Sequence, residues 1–258
     1  MTPQGKTDMS KSLSFAVAIP VGSWHDFLPQ ALESLSIQTP PLNVALMDAS
    51  GDPRVAEAAQ SCGIEIVYHR TGSDAGQSAA IAEGWYHTES DFVFWLNADD
   101  RLIPGALDMV RAALEANPSI DVVYGLTDFI DISGAIIETH YQVDRISPLL
   151  LRSNIISQPS CFARRSAVTA VGGVDPSLHF IMDWDLWVRL YKAGAKFEML
   201  QQALSYAYMG DGTKTHQISI RRLQEVFSLV HRNKGIWAAT KSTLSLAAET
   251  LSRRRLMS

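Results

Sequence analysis

The stretch Asp91-Phe-Val-Phe-Trp-Leu-Asn-Ala-Asp-Asp-Arg101 decides how this chain folds. Phe92 to Leu96 is apolar without a break, as in a strand covered on both faces. It stops abruptly on Asn97-Ala-Asp-Asp100, with Pro104 just beyond. A buried strand ending in carboxylates puts charge at the carboxyl end of a sheet, where open α/β folds bind ligands. An Asp pair ahead of a proline also serves to cap a helix. The apolar strand directly before this pair favours the ligand-facing use.

Working outward, the same alternation recurs. Ser14 to Ile19 is a short apolar run closed by Pro20, and Asn43 to Met47 and Ile64 to Tyr68 read as further strands. Between them, His25 to Ile37 carries apolar residues at helical spacing, with Pro29 tolerable in a first turn. Pro53 opens a helix to Ser61, and Ala75 to His87 and Pro104 to Ala116 complete the helical set. Asp121 to Tyr124 is another strand. Strands separated by helices predict a parallel sheet with crossover connections, an α/β fold.

The second half is less regular. Thr127 to Val143 reads as a hairpin turning at Ser133-Gly134, Gln158 to Ala163 as a strand, Asp183 to Ala193 as a helix, and Lys196 to Tyr206 as one or two strands. From Gln217 the pattern is helical, with Ile220, Leu223, Phe227 and Val230 on one face until Gly235 interrupts it. The expected organisation is a flexible N-terminus over 1–12, one α/β domain over 13–216 and a helical tail over 217–258.

Composition narrows the function. Of 258 residues 47% are hydrophobic and 19% charged, which excludes a disordered chain or a disulfide scaffold. A net charge of −5 argues against a nucleic-acid partner, which needs clustered Lys and Arg. Cys62 and Cys161 read as buried or half-buried thiols in a reducing compartment. Met1 to Ser12 lacks the apolar stretch of a signal peptide, and no run approaches the about 20 residues that span a bilayer. The expectation is a cytoplasmic protein.

Loops at the strand ends hold the chemistry: Pro20-Val-Gly-Ser-Trp24, Asp48-Ala-Ser-Gly-Asp52, Arg70-Thr-Gly-Ser-Asp-Ala-Gly-Gln77 and Asn97-Ala-Asp-Asp-Arg101. None is a GxGxxG fingerprint or a P-loop, so dehydrogenase and NTPase readings lose their support. Asp48, Asp74, Asp99 and Asp100 would repel one another if gathered without a cation or donor groups. Mg or Mn commonly links one or two carboxylates to phosphate oxygens. Taken singly, Asp48 and Asp74 fit turn chemistry better.

In this order the motifs resemble the family-2 glycosyltransferases of the GT-A fold. The resemblance rests on a first strand ending Ile19-Pro20, Asp48 after the second, Asp74-Ala-Gly-Gln-Ser78 before a helix, and Trp95-Leu-Asn-Ala-Asp-Asp100. Gln158-Pro-Ser-Cys-Phe-Ala-Arg164, Gly172-Gly-Val-Asp175 and Asp183-Trp-Asp-Leu-Trp-Val-Arg189 extend it, so that it runs from Ser14 to Thr215. It implies a Rossmann-like, mostly parallel sheet flanked by helices. It also implies inverting, hexosyltransferase-type transfer from a nucleotide-diphospho-sugar to a saccharide or lipid-linked acceptor, in surface polysaccharide or lipopolysaccharide assembly.

Carried over by position, the resemblance gives the nucleotide-sugar to Pro20, Val21, Asp48, Arg70, Asp74, Gly76, Gln77, Asn97, Ala98 and Asp100. Asp99 becomes the ligand of Mn or Mg, Asp183 the catalytic base, and Trp184 and Asp185 acceptor contacts. An attacking hydroxyl does require a carboxylate to take its proton, and a helix cap at Asp183 is compatible with that role. Asp185, two residues on, does not share its helical face. Trp184 divides evenly between acceptor and core; Trp187, Trp24 and Trp95 read as packing, and His179 as structural.

The chain departs from the family where relatives place an Arg and a His late in the domain, because those slots hold Tyr208 and Gly210. The metal then lacks that ligand unless Asp211 or His216 substitutes. The tail carries no constellation of site residues and is expected to stand outside the chemistry. It could dock on the domain, pair subunits in a homo-oligomer, or use Arg253-Arg254-Arg255 for peripheral contact with anionic lipid. Two other functions compete. A sugar nucleotidyltransferase needs basic residues in the first loop, which Pro20-Val-Gly-Ser-Trp24 lacks. A non-catalytic nucleotide-sugar or glycan-binding module is favoured by Asn97 and disfavoured by Asp99 and Asp183.

Overall fold

The first strand, β1 (Phe15–Val21), is apolar throughout because both of its faces are covered. In the computed structural model, which describes residues 12–39, 42–140, 145–210 and 219–257, Phe15, Val17, Ile19 and Val21 enter one core cluster and Ala16 and Ala18 another. β1 pairs in parallel with β2 (Leu42–Asp48) on one edge and with β4 (Phe92–Trp95) on the other, and β2 pairs in parallel with β3 (Ile66–Thr71). The connections are the helices α1 (Leu28–Ser36), α2 (Pro53–Ser61) and α3 (Gln77–Tyr86). Pro29 falls in the first turn of α1, so the helix starts at Leu28 rather than His25. Asp52 caps α2 by accepting from the Arg54 amide.

Beyond β4 the sheet turns mixed. It continues through β8 (Cys161–Arg164), β6 (Val122–Ile130), β9 (Phe197–Tyr208) and β5 (Asp100–Leu102), with β7 (Ile136–His140) hairpinned onto β6. β8 runs antiparallel to β4 and β6, β6 parallel to β9, and β5 antiparallel to β9. The helices α4 (Ala106–Ala116), α5 (Arg165–Ala170), α6 (Met182–Lys192) and α7 (Ile220–Met257) complete the described chain. Both cysteines are free thiols, Cys161 buried and Cys62 half-buried. Among the described residues no helix is long and apolar enough to cross a membrane.

Two features differ from the sequence reading. β5 is too short to carry a periodicity and exists because Asp100, Arg101 and Leu102 pair with Ala207, Tyr206 and Ser205. That pairing also makes Asp100 a strand residue and removes the helix-cap alternative. β6 runs on to Ile130 because β9 gives it a partner along its whole length. α7 does consist of two helices, broken at Gly235, whose φ of 79° and ψ of 175° are not helical. The flexible stretch expected over 1–12 lies, except for Ser12, outside the described residues.

α3 is pressed onto the sheet. A Cβ on Gly84 would stand 2.9 Å from the Ala18 Cβ and 3.2 Å from the Ala45 Cβ, both fixed to strand backbone. Gly84→Ala should therefore destabilise the protein by about 1–3 kcal/mol through overpacking, even though Ala gains roughly 1 kcal/mol in helix propensity. Denaturant unfolding of the two proteins measures the sign.

Candidate active site

β2 and β3 lie to one side of β1 and β4 to the other, so the loops after β1 and β4 diverge. Open α/β sheets bind ligands in the crevice this leaves beyond the strand ends. Here it is a cavity of about 990 Å³. Pro20, Asp74, Gly76, Gln77, Asn97, Ala98, Asp99 and Asp100 line one side of it. Gly76 sits at the N-terminus of α3 with φ 114°, a conformation that disfavours any side chain. Asp74 accepts the Gly76 amide at 2.8 Å, the turn chemistry expected of it, and also faces the cavity.

The floor is a chain of side-chain amides. Gln77 Nε2 donates to Asn97 Oδ1 at 2.6 Å, and Asn97 Nδ2 donates to Asp100 Oδ2 at 2.8 Å and to Gln158 Oε1 at 3.2 Å. Gln158 Nε2 in turn donates to the Trp95 carbonyl at 2.6 Å. Asn97 thus accepts on one side and donates on the other, which an aspartate at that position could not do. Asp100 is buried, and burial together with the neighbouring Asp99 charge pushes its pKa well above the ordinary range, while the Asn97 hydrogen bonds pull it back.

The opposite side is built around Asp183, in the first turn of α6. Asn154 Nδ2 donates to Asp183 Oδ2 at 2.9 Å. Burial raises the Asp183 pKa, against the opposing pull of hydrogen bonds from the Trp184 amide and Asn154 and of the Arg222 charge. Trp184 is buried in the same wall, its indole N–H donating to the Leu150 carbonyl at 2.6 Å. Trp187 is core, stacked on Trp95 with centroids 5.9 Å apart. His179 faces the cavity beside Gly76, and its Nδ1 is buried with no hydrogen-bond partner among the described residues.

Several expected contacts stand outside this wall. Asp185 is buried on the far face of α6, with Arg189 at 2.7 Å and Arg232 at 3.5 Å, so it braces the helix rather than reaching an acceptor. Arg70 is tied to Asp74 at 3.0 Å and Glu83 at 3.1 Å, which gives its guanidinium to the loop after β3. Asp48 holds its own turn through the Ser50 amide (2.8 Å) and hydroxyl (2.6 Å), and Val21 is buried.

The tail, by contrast, is part of the cavity. Arg222, Val226, Lys241, Ser242 and Leu246 line it. The cause is packing: Val226, Leu229, Val230 and Ala239 enter the same core cluster as Trp184 and Trp187. Glu225 adds a staple by accepting the backbone N–H of His179 at 3.0 Å and of Phe180 at 2.9 Å, just before α6. Neither Asn154 nor these tail residues carry a local signal. Their contacts to Asp183 and its neighbours span some thirty residues of chain or more.

Among the described residues no group of three or more His, Cys, Asp or Glu side chains could hold a metal. Asp99 faces the cavity, while Asp100 is buried and engaged by Asn97. That donor set fits a cation that takes its remaining ligands from a diphosphate and water. Tyr208, in one of the late departure slots, lies in the wall against Phe27 (5.2 Å) and His25 (5.4 Å). Asp211 and His216 lie outside the described residues.

Residues 17–169 match the model of glycosyl transferase family 2, more than half of the chain, which therefore belongs to that family. Over 185 residues the chain is 29% identical to the O-antigen biosynthesis protein RfbC of Myxococcus xanthus, covering 71% of this chain and 13% of that one. It is 24% identical to an uncharacterized glycosyltransferase of Haemophilus influenzae, covering 63% and 57%. It thus spans less than two thirds of either relative.

Solved structures show the same fold. The mannosyltransferase PcManGT from Pyrobaculum calidifontis, in complex with GDP-Man and Mn2+, superposes with a TM-score of 0.65 at 15% identity, over 96% of this chain and 77% of that one. S. aureus TarS 1-349, in complex with UDP, gives 0.64 at 18% identity, over 86% and 65%. The architecture is accordingly the GT-A type.

The floor network makes a prediction. Asn97→Asp would set a second carboxylate against the buried one of Asp100, and like charges there raise each other's pKa. Such a pair costs stability as the pH rises above the ordinary carboxylate range. Thermal unfolding at pH 7 should show a loss of about 1–3 kcal/mol, the cost of an unsatisfied buried group. The loss should shrink in acid.

Proposed function

We propose that the cavity binds a nucleotide-diphospho-sugar along its Asp74–Asp99 side and transfers the sugar, with inversion, to a hydroxyl held at Asp183. The observation that carries this reading is that Asp99 and Asp183 line one cavity. The raised pKa of Asp183 supports its use as a base. The names of the relatives support a hexosyl donor and an acceptor in surface polysaccharide assembly.

The acceptor oxygen attacks the anomeric carbon as the bond to the diphosphate oxygen breaks, and its proton passes to the Asp183 carboxylate. Asn154 holds that carboxylate in place. The N-terminus of α3 at Gly76 and Gln77 points positive dipole ends at the diphosphate side. A divalent cation at Asp99 would offset the charge that grows on the departing diphosphate. Gln77, Asn97 and Gln158 keep the floor neutral and fixed beneath it.

Asp183→Asn should lower turnover by roughly 10²- to 10⁴-fold, about 3–5 kcal/mol in the barrier, and leave affinity for UDP or GDP unchanged. Because burial holds the Asp183 pKa above the ordinary aspartate value, the acid limb of the wild-type rate profile should lie above the usual carboxylate range. The same shift means that ionised Asp183 opposes folding as pH rises through the raised pKa. The Asn variant should accordingly melt no lower than wild type at pH 7. A variant that keeps full turnover would remove Asp183 from the mechanism.

For Asp99, calorimetry with UDP or GDP is the measure. Nucleotide binding should be stronger with Mn2+ than with EDTA, and Asp99→Ala should erase the difference. Equal affinities in the wild type would show that no cation takes part.

A further inference from the structure

The second half of α7 has an outward face of unusual composition. From Ile236 to Ala248 the sequence Ile-Trp-Ala-Ala-Thr-Lys-Ser-Thr-Leu-Ser-Leu-Ala-Ala contains a single charge, Lys241. Ala239 is buried against the core and Leu246 is partly buried there. On the other side, Trp237 is 87% exposed, Leu244 65% and Ile236 58%. Trp237, Lys241 and Leu244 follow at i, i+4 and i+7, one stripe along the helix. An indole and a leucine held in water beside a lysine are what a helix lying in a bilayer interface presents.

The charge of the helix points the same way. Eight of the chain's 22 Lys and Arg fall within Ile220–Met257, against Glu225 and Glu249, although the whole chain carries −5. Arg221 and Arg232 are engaged by Glu225 and Asp185. Lys234, Lys241 and Arg152 form no ion pair among the described residues. Ser242 Oγ donates to the Arg152 carbonyl at 2.8 Å, which ties Arg152 to the rim that carries Lys241. Arg152 and Lys241 both line the mouth of the cavity that holds Asp183.

We propose that this face docks on an anionic lipid bilayer, with Trp237 and Leu244 in the interface and Lys241 and Arg152 against the headgroups. The cavity mouth at Arg152 and Lys241 then opens beside the membrane surface. Resting on the transferase reading, this makes the acceptor a lipid-linked one that reaches Asp183 from the bilayer while the soluble donor enters from the side of Asp74. The docking itself does not depend on that reading.

Sedimentation with vesicles tests it on the full chain. Binding to vesicles of phosphatidylcholine with phosphatidylglycerol should be about tenfold or more stronger than to phosphatidylcholine alone, and should weaken with salt. Trp237→Ala with Leu244→Ala, both exposed positions, should lose that binding while melting temperature and UDP or GDP affinity stay as in wild type. Brominated phosphatidylcholine in the mixed vesicles should quench the fluorescence of wild type, and the quenching should drop in Trp237→Phe.

Equal binding to neutral and anionic vesicles, or an unchanged double variant, overturns the proposal. So does a wild type that dimerises in ultracentrifugation through this face, with the double variant monomeric and neither binding lipid. Vesicle binding without any nucleotide binding would instead count against the transferase reading and leave the docking surface standing.

Discussion

β1 pairs in parallel along both edges, with β2 from Phe15 to Val21 and with β4 only from Phe15 to Ala18. β4 is therefore released first. The Leu96 amide makes a last bond to the Ala18 carbonyl at 3.1 Å, and Asn97 to Asp99 then turn across the end of the sheet. β1 and β2 run on in register to Val21 and Asp48. The step between the two strand ends is the room in which the cavity forms. Gly84 lets α3 settle low enough on β1 and β2 for its N-terminus to reach that room.

Two carboxylates on the cavity show opposite solutions to the cost of desolvation. Asp100 is buried beneath the floor and receives its compensation from a neutral amide, Asn97, which Gln77 and Gln158 hold in turn. Amides do this without adding charge beside Asp99. Asp183 is only half-buried and has one side-chain donor, Asn154, so its carboxylate keeps lone pairs directed at the space beside it. Asp185 is neutralised by Arg189 and Arg232 and contributes shape rather than reactivity. Three aspartates of one motif-rich chain thus do three different jobs, set by what surrounds each.

The parallel half of the sheet was legible because its strands are buried on both faces and announce themselves as unbroken apolar runs. That Asp99 and Asp183 line a cavity was legible because one closely follows an apolar strand and the other opens a helix. β5 was not, since three residues carry no period and its existence depends on β9 a hundred residues away. The same limit hid Asn154, Glu225 and the tail residues of the cavity, whose roles arise only from contacts between distant segments. Nor did local pattern show the ion pairs of Arg70 and Asp185: it fixes where a charged side chain starts, while the nearest opposite charge decides where it ends.

The Glu225 staple has a dynamic consequence. Its carboxylate is the acceptor for the His179 and Phe180 amides, so these two N–H groups stay protected from solvent only while the tail helix is seated. Local opening of a segment exposes the amides it covers at a rate set by its own opening free energy. The tail and the lead-in to the Asp183 helix consequently open and close as one cooperative unit. Whatever loosens the tail loosens the approach to Asp183 with it, and hydrogen exchange at two neighbouring amides would report both.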